Sequence, residues 1–334
     1  MSIVLLGHGG GGRLMAELIE GLFLPRLGSP DLARADDSAV LPEPGGQIAF
    51  TTDSFVVDPP IFPGGDIGRL AVCGTVNDLA ASGARPLYLS TAFILEEGLP
   101  LETLERVANS MAAAAEEAGV RLVAGDTKVV PRGKADRLFI TTSGIGVIPE
   151  GMNVSGHHAR PGDVVLCSGT LGDHGMAIMV TREKLGFAGP IESDVAPLNG
   201  LVEALHPIRH GLHALRDATR GGAAAVLNEI ASQSGVAIEV AEEAVPVRPA
   251  VRAACELLGI DPLYVANEGK LIAVVAPEVA EEALAIWRAH PLGRDAVRLG
   301  EVLESPAGRV HARTPFGTTR LLDRPLGEQL PRIC

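Results

Sequence analysis

Aromatic residues are scarce in this sequence, at 3% of 334 positions, although apolar residues of all kinds make up 46%. Its cores must therefore be built mainly from Ala, Val, Leu and Ile. No apolar run is long enough for a signal peptide or a membrane span, because the apolar start covers only residues 1–6. The length is typical of two domains, and we expect a cytoplasmic protein.

Cysteine and positive charge are also in short supply. The four cysteines are far apart and include no CxxC pair: Cys73, Cys167, Cys255 and Cys334. Neither a structural zinc site nor a disulfide framework is indicated, which fits a reducing compartment. The net charge of −13 argues against nucleic acid or an anionic membrane as partner. No GxxxxGK[ST] loop occurs, so an ATP site would not be of the P-loop type.

Glycine, in contrast, is abundant, with 40 residues. A glycine run, including Gly7, Gly9 and Gly12, follows a predicted short strand over Ser2–Leu6 and matches GxGxxG. The dinucleotide-binding fold would need an acidic residue at the end of a second strand, but Asp31 lies in a turn sequence. A glycine flap over phosphate groups is favoured over a dehydrogenase site, because bare backbone N–H groups can approach an anion closely.

Hydrophobic periodicity predicts strands mixed with helices in both halves of the chain. The predicted helices include Arg13–Phe23, Asp66–Ser82, Leu101–Ala118, Ala196–His206, Arg248–Leu258 and Glu278–His290. The predicted strands include Ile48–Thr52, Pro86–Leu95, Arg121–Ala124, Leu138–Val147, Val164–Cys167, Val236–Val240, Leu271–Ala276, Val297–Val302, Arg309–Arg313 and Thr319–Leu322. A Pro/Gly-rich loop predicts domains at 1–150 and 160–322, followed by a flexible tail at 323–334.

Four aspartates lie in sequences that predict short turns at the ends of elements: Asp37, Asp53, Asp78 and Asp126. One aspartate in a turn is ordinarily a helix cap or an Asx-turn. Four of them, without histidine or cysteine nearby, suit a hard cation, and Mg²⁺ is the usual one beside nucleotide phosphates.

Lys128 and Glu268 are the candidate acid–base residues. Glu268 precedes an apolar strand, where burial would raise its pKa, although a surface carboxylate paired with Lys270 is the alternative. His8 and His174 could contact phosphate or the tail, but histidines in such turns are more often satisfied by backbone.

A charged turn in the second half carries Arg216, Asp217 and Arg220. This turn could hold a phosphate group. Equally, Asp217 or Thr219 could cap the following helix.

The chain ends in Pro-Arg-Ile-Cys, which puts a thiol at Cys334. A thiol on a movable arm can carry a group between sites, whereas the simpler interpretation is an unimportant terminus. Prenylation is excluded, because it needs cysteine four places from the end. The stretch from Asp323 to Cys334 could extend about 40 Å at roughly 3.3 Å per residue.

Together these motifs resemble the HypE family of hydrogenase maturation proteins, within the aminoimidazole ribonucleotide synthetase (PurM-like) superfamily. The resemblance spans nearly the whole chain. It rests on HGGGGRLM (8–15), DDSAV (36–40), TTDSFVVDP (51–59), GDIGRLAVCGTVNDLAASGARP (66–86), AGDTKVV (124–130), SGTLGDHGMAIM (168–179), RDATRGG (216–222), VANEGKL (265–271) and the terminal PRIC.

The resemblance implies a two-domain α+β PurM-like fold and a homodimer whose strands share a barrel. It also implies an enzyme in which a carbamoyltransferase, HypF, loads a carbamoyl group onto Cys334. ATP-dependent dehydration would convert this group to an S-cyanate, and the cyano group would pass to iron on a HypC–HypD complex. By family position, Lys128 and Glu268 would serve proton removal and charge stabilisation. Residues implied to bind Mg-ATP are Gly9, Gly10, Gly11, Asp37, Asp53, Asn77, Asp78 and Asp126, with the four aspartates as metal ligands.

Two other functions remain open from the sequence. One is another ATP-dependent enzyme of the superfamily, a small-molecule kinase or a selenophosphate synthetase, although residues 1–35 lack the cysteine of the latter. The other is a non-catalytic carrier that only docks partners through its tail.

Overall fold

The computed structural model describes residues 3–10, 12–34, 38–186, 189–324, 330 and 332–334. Its strands are β1 (Gln47–Phe55), β2 (Ile61–Phe62), β3 (Gly65–Asp66), β4 (Arg85–Glu96), β5 (Arg121–Val130), β6 (Leu138–Ile148), β7 (Val164–Cys167), β8 (Leu212–Asp217), β9 (Ala237–Ala241), β10 (Leu271–Val275), β11 (Val297–Leu303), β12 (Arg309–Arg313) and β13 (Thr319–Leu321). Its α-helices are α1 (Arg13–Leu18), α2 (Leu24–Leu27), α3 (Ile67–Ala81), α4 (Leu101–Ala118), α5 (Asp173–Arg182), α6 (Asn199–Ala204), α7 (Gly222–Ser234), α8 (Pro249–Leu258) and α9 (Ala280–Ala289).

A four-stranded sheet in the order β1-β6-β4-β5 forms the first half. α3 and α4 cover one of its faces, while Ile48, Phe50 and Ile94 are exposed. α3 begins where the Asp66 carboxylate accepts the N–H groups of Gly68 and Arg69. Because α3 consists of small and apolar residues, it is buried on almost every side, and it also contacts α6 and β8 of the second half. α3 is thus the element that places residues of the two halves side by side.

The second half is built on a seven-stranded mixed sheet in the order β13-β12-β9-β11-β7-β10-β8. Its central strands are continuous apolar runs, such as the fully buried Leu271–Val275, because both faces are covered. α7 packs on one side and α6 and α9 on the other. Mixed sheets with helices on their faces confirm the α+β prediction.

The core of the first half also includes residues from the second half and from the C-terminus. Met176 of α5, Val251 of α8, and Leu330 and Ile333 are buried in the same apolar cluster as α3 and α4. The predicted division at 1–150, 160–322 and 323–334 remains a proposal, as does the flexibility of the tail. The described end of the chain is packed against both halves.

Several predicted elements are wrong in detail. Ser2–Leu6 does not form a strand within its described part; Ile3 makes one bridge to Pro100, and Leu6–Gly9 is a 3₁₀ helix. The helix predicted over Ala196–His206 is shorter, Asn199–Ala204, and a 3₁₀ segment with Pro207 in its first turn begins at His206. No helix within the described ranges is long and apolar enough to cross a membrane.

Candidate functional site

The glycine run lies against β5. Gly9 approaches so closely that an added Cβ would be 2.5 Å from the backbone nitrogen of Val129, so only glycine fits there. Gly10 follows directly, whereas Gly11 lies outside the described residues. This contact places the glycine backbone beside Lys128, the neighbour of Val129 in β5.

Asp53 and Asp78 form a carboxyl pair between β1 and α3. The Thr51 hydroxyl donates to Asp78 Oδ2 at 2.7 Å. Burial, then the charge of Asp78 and a hydrogen bond between the two carboxyl groups, raises the pKa of Asp53 to about 6. Such a pair must share either a proton or a cation.

Asp126 and Lys128 form a separate pair on β5. They are two residues apart in a strand, so both side chains lie on one face. Lys128 Nζ donates to Asp126 Oδ1 at 2.7 Å, both side chains are largely exposed, and this hydrogen bond lowers the pKa of Asp126. Lys128 is therefore available to solvent but is already engaged with a carboxylate.

The predicted turns around three of the aspartates are wrong. Asp53 and Asp126 lie within long strands, and Asp78 lies inside α3, because ladder and helix hydrogen bonds continue through these polar positions. Asp37 lies outside the described residues. No group of three or more His, Cys, Asp or Glu side chains in the described ranges is arranged to hold a metal ion.

The Asp53–Asp78 carboxyl pair and the Asp126–Lys128 ion pair lie at opposite edges of the four-stranded sheet. In register, Asp53 is opposite Thr142, Thr142 is opposite Thr91, and Thr91 is opposite Gly125. Three strand spacings of about 4.8 Å separate the pairs by roughly 14 Å. One metal ion within a single chain therefore cannot be held by both pairs.

Glu268 is buried, with 3% of its surface exposed, and its Oε1 has no hydrogen-bond partner among the described residues. Burial, followed by the charges of Asp217 and Asp194, raises its pKa well above the ordinary value. Its predicted alternative as a surface carboxylate paired with Lys270 is wrong, because Lys270 Nζ donates instead to Asp194 Oδ2 at 3.0 Å. Burial thus favours the neutral form of Glu268, and its Oε1 is available to a ligand.

Asn77 joins α3 to the loops around Glu268. Its side-chain amide donates to the carbonyls of Ala196 and Glu268, and its oxygen accepts the Leu198 N–H at 2.7 Å. Its predicted contact with nucleotide remains a prediction. In the structure it holds the Glu268 loop beside Asp78.

Two further acidic residues belong to this site: Asp194, which the sequence did not indicate, and Asp217, which it indicated only as part of a phosphate-holding turn or a helix cap. Asp194 accepts the Glu268 N–H at 3.0 Å, and nothing in its sequence context indicates a buried carboxylate. Asp217 ends β8, and burial, followed by the charge of Asp78, raises its pKa to about 7. Neither Asp217 nor Thr219 caps a helix, since Gly221 is the N-cap residue of α7.

The C-terminus is docked against the segment that follows β1. The Val56 N–H donates to a terminal carboxylate oxygen of Cys334 at 3.1 Å, and the Asp58 N–H donates to the Arg332 carbonyl at 3.2 Å. Ile333 is buried, and Cys334 is partly exposed. Cys334, which carries the thiol, is therefore docked against Val56, three positions after Asp53 in the chain.

An apolar cleft of about 280 Å³ lies beside Asp126. Met15, Ile19 and Phe23 line one wall, and residues 123–127 of β5 line another. Its size is close to the lower end of small-molecule sites, about 300 Å³. An apolar cleft bordered by a carboxylate, on the strand that the glycine run also contacts, suits a ligand with a flat apolar part and an anionic part.

Comparisons with known proteins agree with this architecture. Residues 35–148 match the N-terminal domain of AIR synthase related proteins, and residues 160–313 match the C-terminal domain. Carbamoyl dehydratase HypE of Bradyrhizobium diazoefficiens is 56% identical over 98% of this chain and 95% of the relative.

Solved structures match as well. A HypE crystal structure in complex with ATP superposes with a TM-score of 0.95, at 53% identity, over 99% of each chain. The chain of a HypE–HypF complex has a TM-score of 0.82 and 55% identity, over 92% of this chain and 99% of that one. The two-domain PurM-like fold expected from the sequence is thereby confirmed, and the chain belongs to the carbamoyl dehydratase HypE family of hydrogenase maturation proteins.

Proposed function

We propose that this chain uses ATP to dehydrate a carbamoyl group on the sulfur of Cys334, giving an S-cyanate that supplies the cyanide ligand of a [NiFe]-hydrogenase iron. The observation that carries the proposal is the docked tail, which holds Cys334 against the end of the strand that bears Asp53. A terminal thiol docked three residues along the chain from a partly buried carboxyl pair is placed for chemistry on a group that it carries.

Dehydration requires both an activated oxygen and the removal of protons from nitrogen. The carbamoyl oxygen attacks the γ-phosphorus of ATP, and ADP leaves. The nitrogen loses its two protons, the C–O bond breaks with release of phosphate, and the C≡N bond forms. The balance is carbamoyl thioester plus ATP giving thiocyanate, ADP and phosphate, with the elements of water ending in the phosphate.

Glu268 suits the role of proton acceptor. Its raised pKa makes its carboxylate a stronger base than an ordinary glutamate, once it has lost its own proton. Its Oε1, without a protein partner in the described residues, is open to an N–H donor. Lys128 would stabilise developing negative charge after release from Asp126.

Mg²⁺ fits the Asp53–Asp78 pair. Two carboxyl groups that share a hydrogen bond and repel one another when ionised would be neutralised by a hard cation. When bound, the ion would screen the phosphates of ATP. The glycines at 9–11 would approach the phosphates through their N–H groups, and the apolar cleft would take the purine base.

We also propose a homodimer, formed through the two open edges of the four-stranded sheet. β1 and β5 are edge strands, and the outer face carries Ile48 and Phe50, exposed at 56% and 68%. A twofold axis that joins β1 of one chain to β5 of the other closes a barrel. It would also bring the edge strand that bears Asp53 next to the partner's edge strand that bears Asp126 and Lys128.

The partners follow from the chemistry and from the relatives. One solved relative is a complex of HypE with HypF, so we propose HypF as the donor of the carbamoyl group. A HypC–HypD complex is proposed as the acceptor of the cyano group.

The test is to load purified chain with carbamoyl from its carbamoyltransferase, add MgATP, and weigh the C-terminal peptide. We expect the Cys334 adduct to lose one water, with no adduct in Cys334→Ala and no loss with a non-hydrolysable ATP analogue. An adduct that keeps its mass would favour the carrier function. Unchanged ATP turnover in Cys334→Ala, with a small molecule phosphorylated, would favour a kinase.

A further inference from the structure

The docked tail is held by its backbone and by the Arg332 side chain, which donates to the Val56 carbonyl at 3.0 Å and to Asp136 at 2.6 Å. The N–H groups of Val56 and Asp58 donate to the Cys334 terminal carboxylate and to the Arg332 carbonyl, as in the addition of a short strand. Between these contacts, the Ile333 side chain is 3% exposed and packs into the apolar core. The Ile333 carbonyl faces the opposite way, toward α5.

His174 of α5 is hydrogen-bonded to that carbonyl. The ring is fully buried, its Nε2 lies 2.5 Å from the Ile333 oxygen, and its Nδ1 lies 2.7 Å from Ser193 Oγ. Phe62 packs edge-on against it, with ring centres 5.5 Å apart. The hydrogen-bond partners of the ring are a carbonyl and a hydroxyl, and no carboxylate of the described residues is hydrogen-bonded to it, although burial, which lowers its pKa, is opposed by the charge of Asp194.

These contacts fix the tautomer. A carbonyl oxygen only accepts, so Nε2 must carry the proton, and Nδ1 of a neutral ring then accepts from the Ser193 hydroxyl. Ser193 Oγ in turn accepts the Val195 N–H at 3.1 Å. Burial lowers the pKa of His174, which agrees with a neutral ring.

The same loop also supports Glu268. Asp194, next to Ser193, accepts the Glu268 N–H at 3.0 Å, and the Ala196 N–H donates to the Glu268 carbonyl. One short chain of hydrogen bonds therefore links the residue before Cys334 to the loop that carries the proposed base.

We propose that His174 is a positioning residue for dehydration: its Nε2–H fixes the Ile333 carbonyl and thereby the place of Cys334 in the docked tail. This inference rests on the proposed function, and His174 itself touches neither the carbamoyl group nor the nucleotide. A single neutral hydrogen bond suits the role, because the tail must also leave to be loaded.

Hydrogen exchange at Val56 and Asp58 tests this directly, since backbone oxygens of the tail accept both amides and the following Pro59 and Pro60 have none. His174→Gln can place an amide donor near the Nε2 position, whereas His174→Asn reaches only the Nδ1 position. We expect exchange about ten-fold faster in His174→Asn, as for the loss of one buried hydrogen bond, and near the wild-type rate in His174→Gln. A variant truncated after residue 329 gives the exchange rate of these two amides when the tail is absent.

Two further readouts separate positioning from folding. Truncation at residue 329 should shift the ¹⁵N and ¹H signals of the His174 Nε2–H group, a measurement that needs no histidine substitution. In single turnover, His174→Asn should dehydrate a preloaded carbamoyl about ten-fold more slowly, with loading at least as fast as in the wild type. Wild-type exchange rates in His174→Asn, or unmoved His174 signals after truncation, would overturn the inference. Absence of dehydration in the wild type would instead overturn the proposed function and leave the exchange result standing.

Discussion

Glu268 combines two properties that ordinarily exclude each other in a glutamate: full burial and a partly unpaired carboxyl group. Asp217, Asp194 and Asp53 all add negative potential, and Arg220 opposes them. An isolated buried charge is costly, so these surroundings favour the protonated form of Glu268. Its neighbours thus raise the basicity of the Glu268 carboxylate, which is proposed to act as a base only when the substrates are bound.

Replacing Glu268 with Gln keeps the shape but removes the proton acceptor. We expect dehydration to slow by on the order of 10²- to 10⁴-fold, while ATP still binds. Glu256→Gln, at an exposed position of α8, is the matched control and should retain full activity. Mass analysis of the Cys334 peptide in single turnover measures both. Equal rates in the two variants would remove Glu268 from the chemistry.

The same substitution has a pH signature in thermal unfolding. Because the folded pKa of Glu268 lies above its ordinary value of 4.5, the folded state binds the proton more tightly than the unfolded state. Wild-type stability therefore falls as pH rises above about 4.5, and the variant lacks this loss. The Tm of Glu268→Gln minus that of the wild type should become more positive between pH 4.5 and pH 8.

Sequence reasoning could reach Glu268 but not its neighbours. A glutamate before an apolar strand predicts burial, whereas the partner of Lys270 depends on Asp194, 76 residues away, which only the fold brings near. The His174 contact with Ile333 likewise joins residues 159 positions apart. Side-chain contacts at such distances have no local pattern.

Secondary structure was most predictable where one face is apolar. α4 was predicted from Leu101 to Ala118 as observed, because its buried residues recur at helical spacing and Gly119 ends it in the left-handed conformation. β8 was missed, since its end carries Arg216 and Asp217, which look like a charged turn. Polar residues also ended the predicted β1 and β5 too early, although their backbones stay paired with neighbouring strands.

The 3₁₀ helix at Leu6–Gly9 offers a test of the glycine run. Gly9→Ala would put a Cβ against the Val129 backbone, so this segment must move away from β5. We expect the Kd for ATP to rise about ten-fold, as for the loss of one phosphate contact. Gly12→Ala is the control, because its Cβ would meet nothing within 4 Å and its backbone is extended. Isothermal titration calorimetry measures the Kd for ATP of both variants. Equal values would show that the glycine run does not contact the nucleotide.

At the scale of the whole molecule, the candidate site is divided. Asp53, Asp78 and Glu268 gather where α3 meets the second half, whereas Asp126, Lys128 and the glycine run gather at the far edge of the first sheet. The family resemblance implied one Mg-ATP site, but the fold of one chain separates its parts by roughly 14 Å. The proposed shared barrel would bring the two edges together across the dimer.

Subunit complementation tests this arrangement. Asp53→Asn and Asp126→Asn should each abolish dehydration, because each substitution inactivates both active sites of its homodimer. Coexpressed, the two variants form heterodimers in which one site carries both substitutions and the other carries neither. Random assortment then restores about a quarter of wild-type activity, since half of the dimers have one intact site.

The outcome depends on which chain supplies each residue. If Asp53 and Asp126 of one chain served the same site, every site in the mixture would carry a substitution, and coexpression would restore nothing. Asp53→Asn coexpressed with Asp78→Asn is the matched control, because these two residues share one carboxyl pair within a chain. That mixture must stay inactive under the dimer proposal, so activity there would refute it as firmly as inactivity in the first mixture.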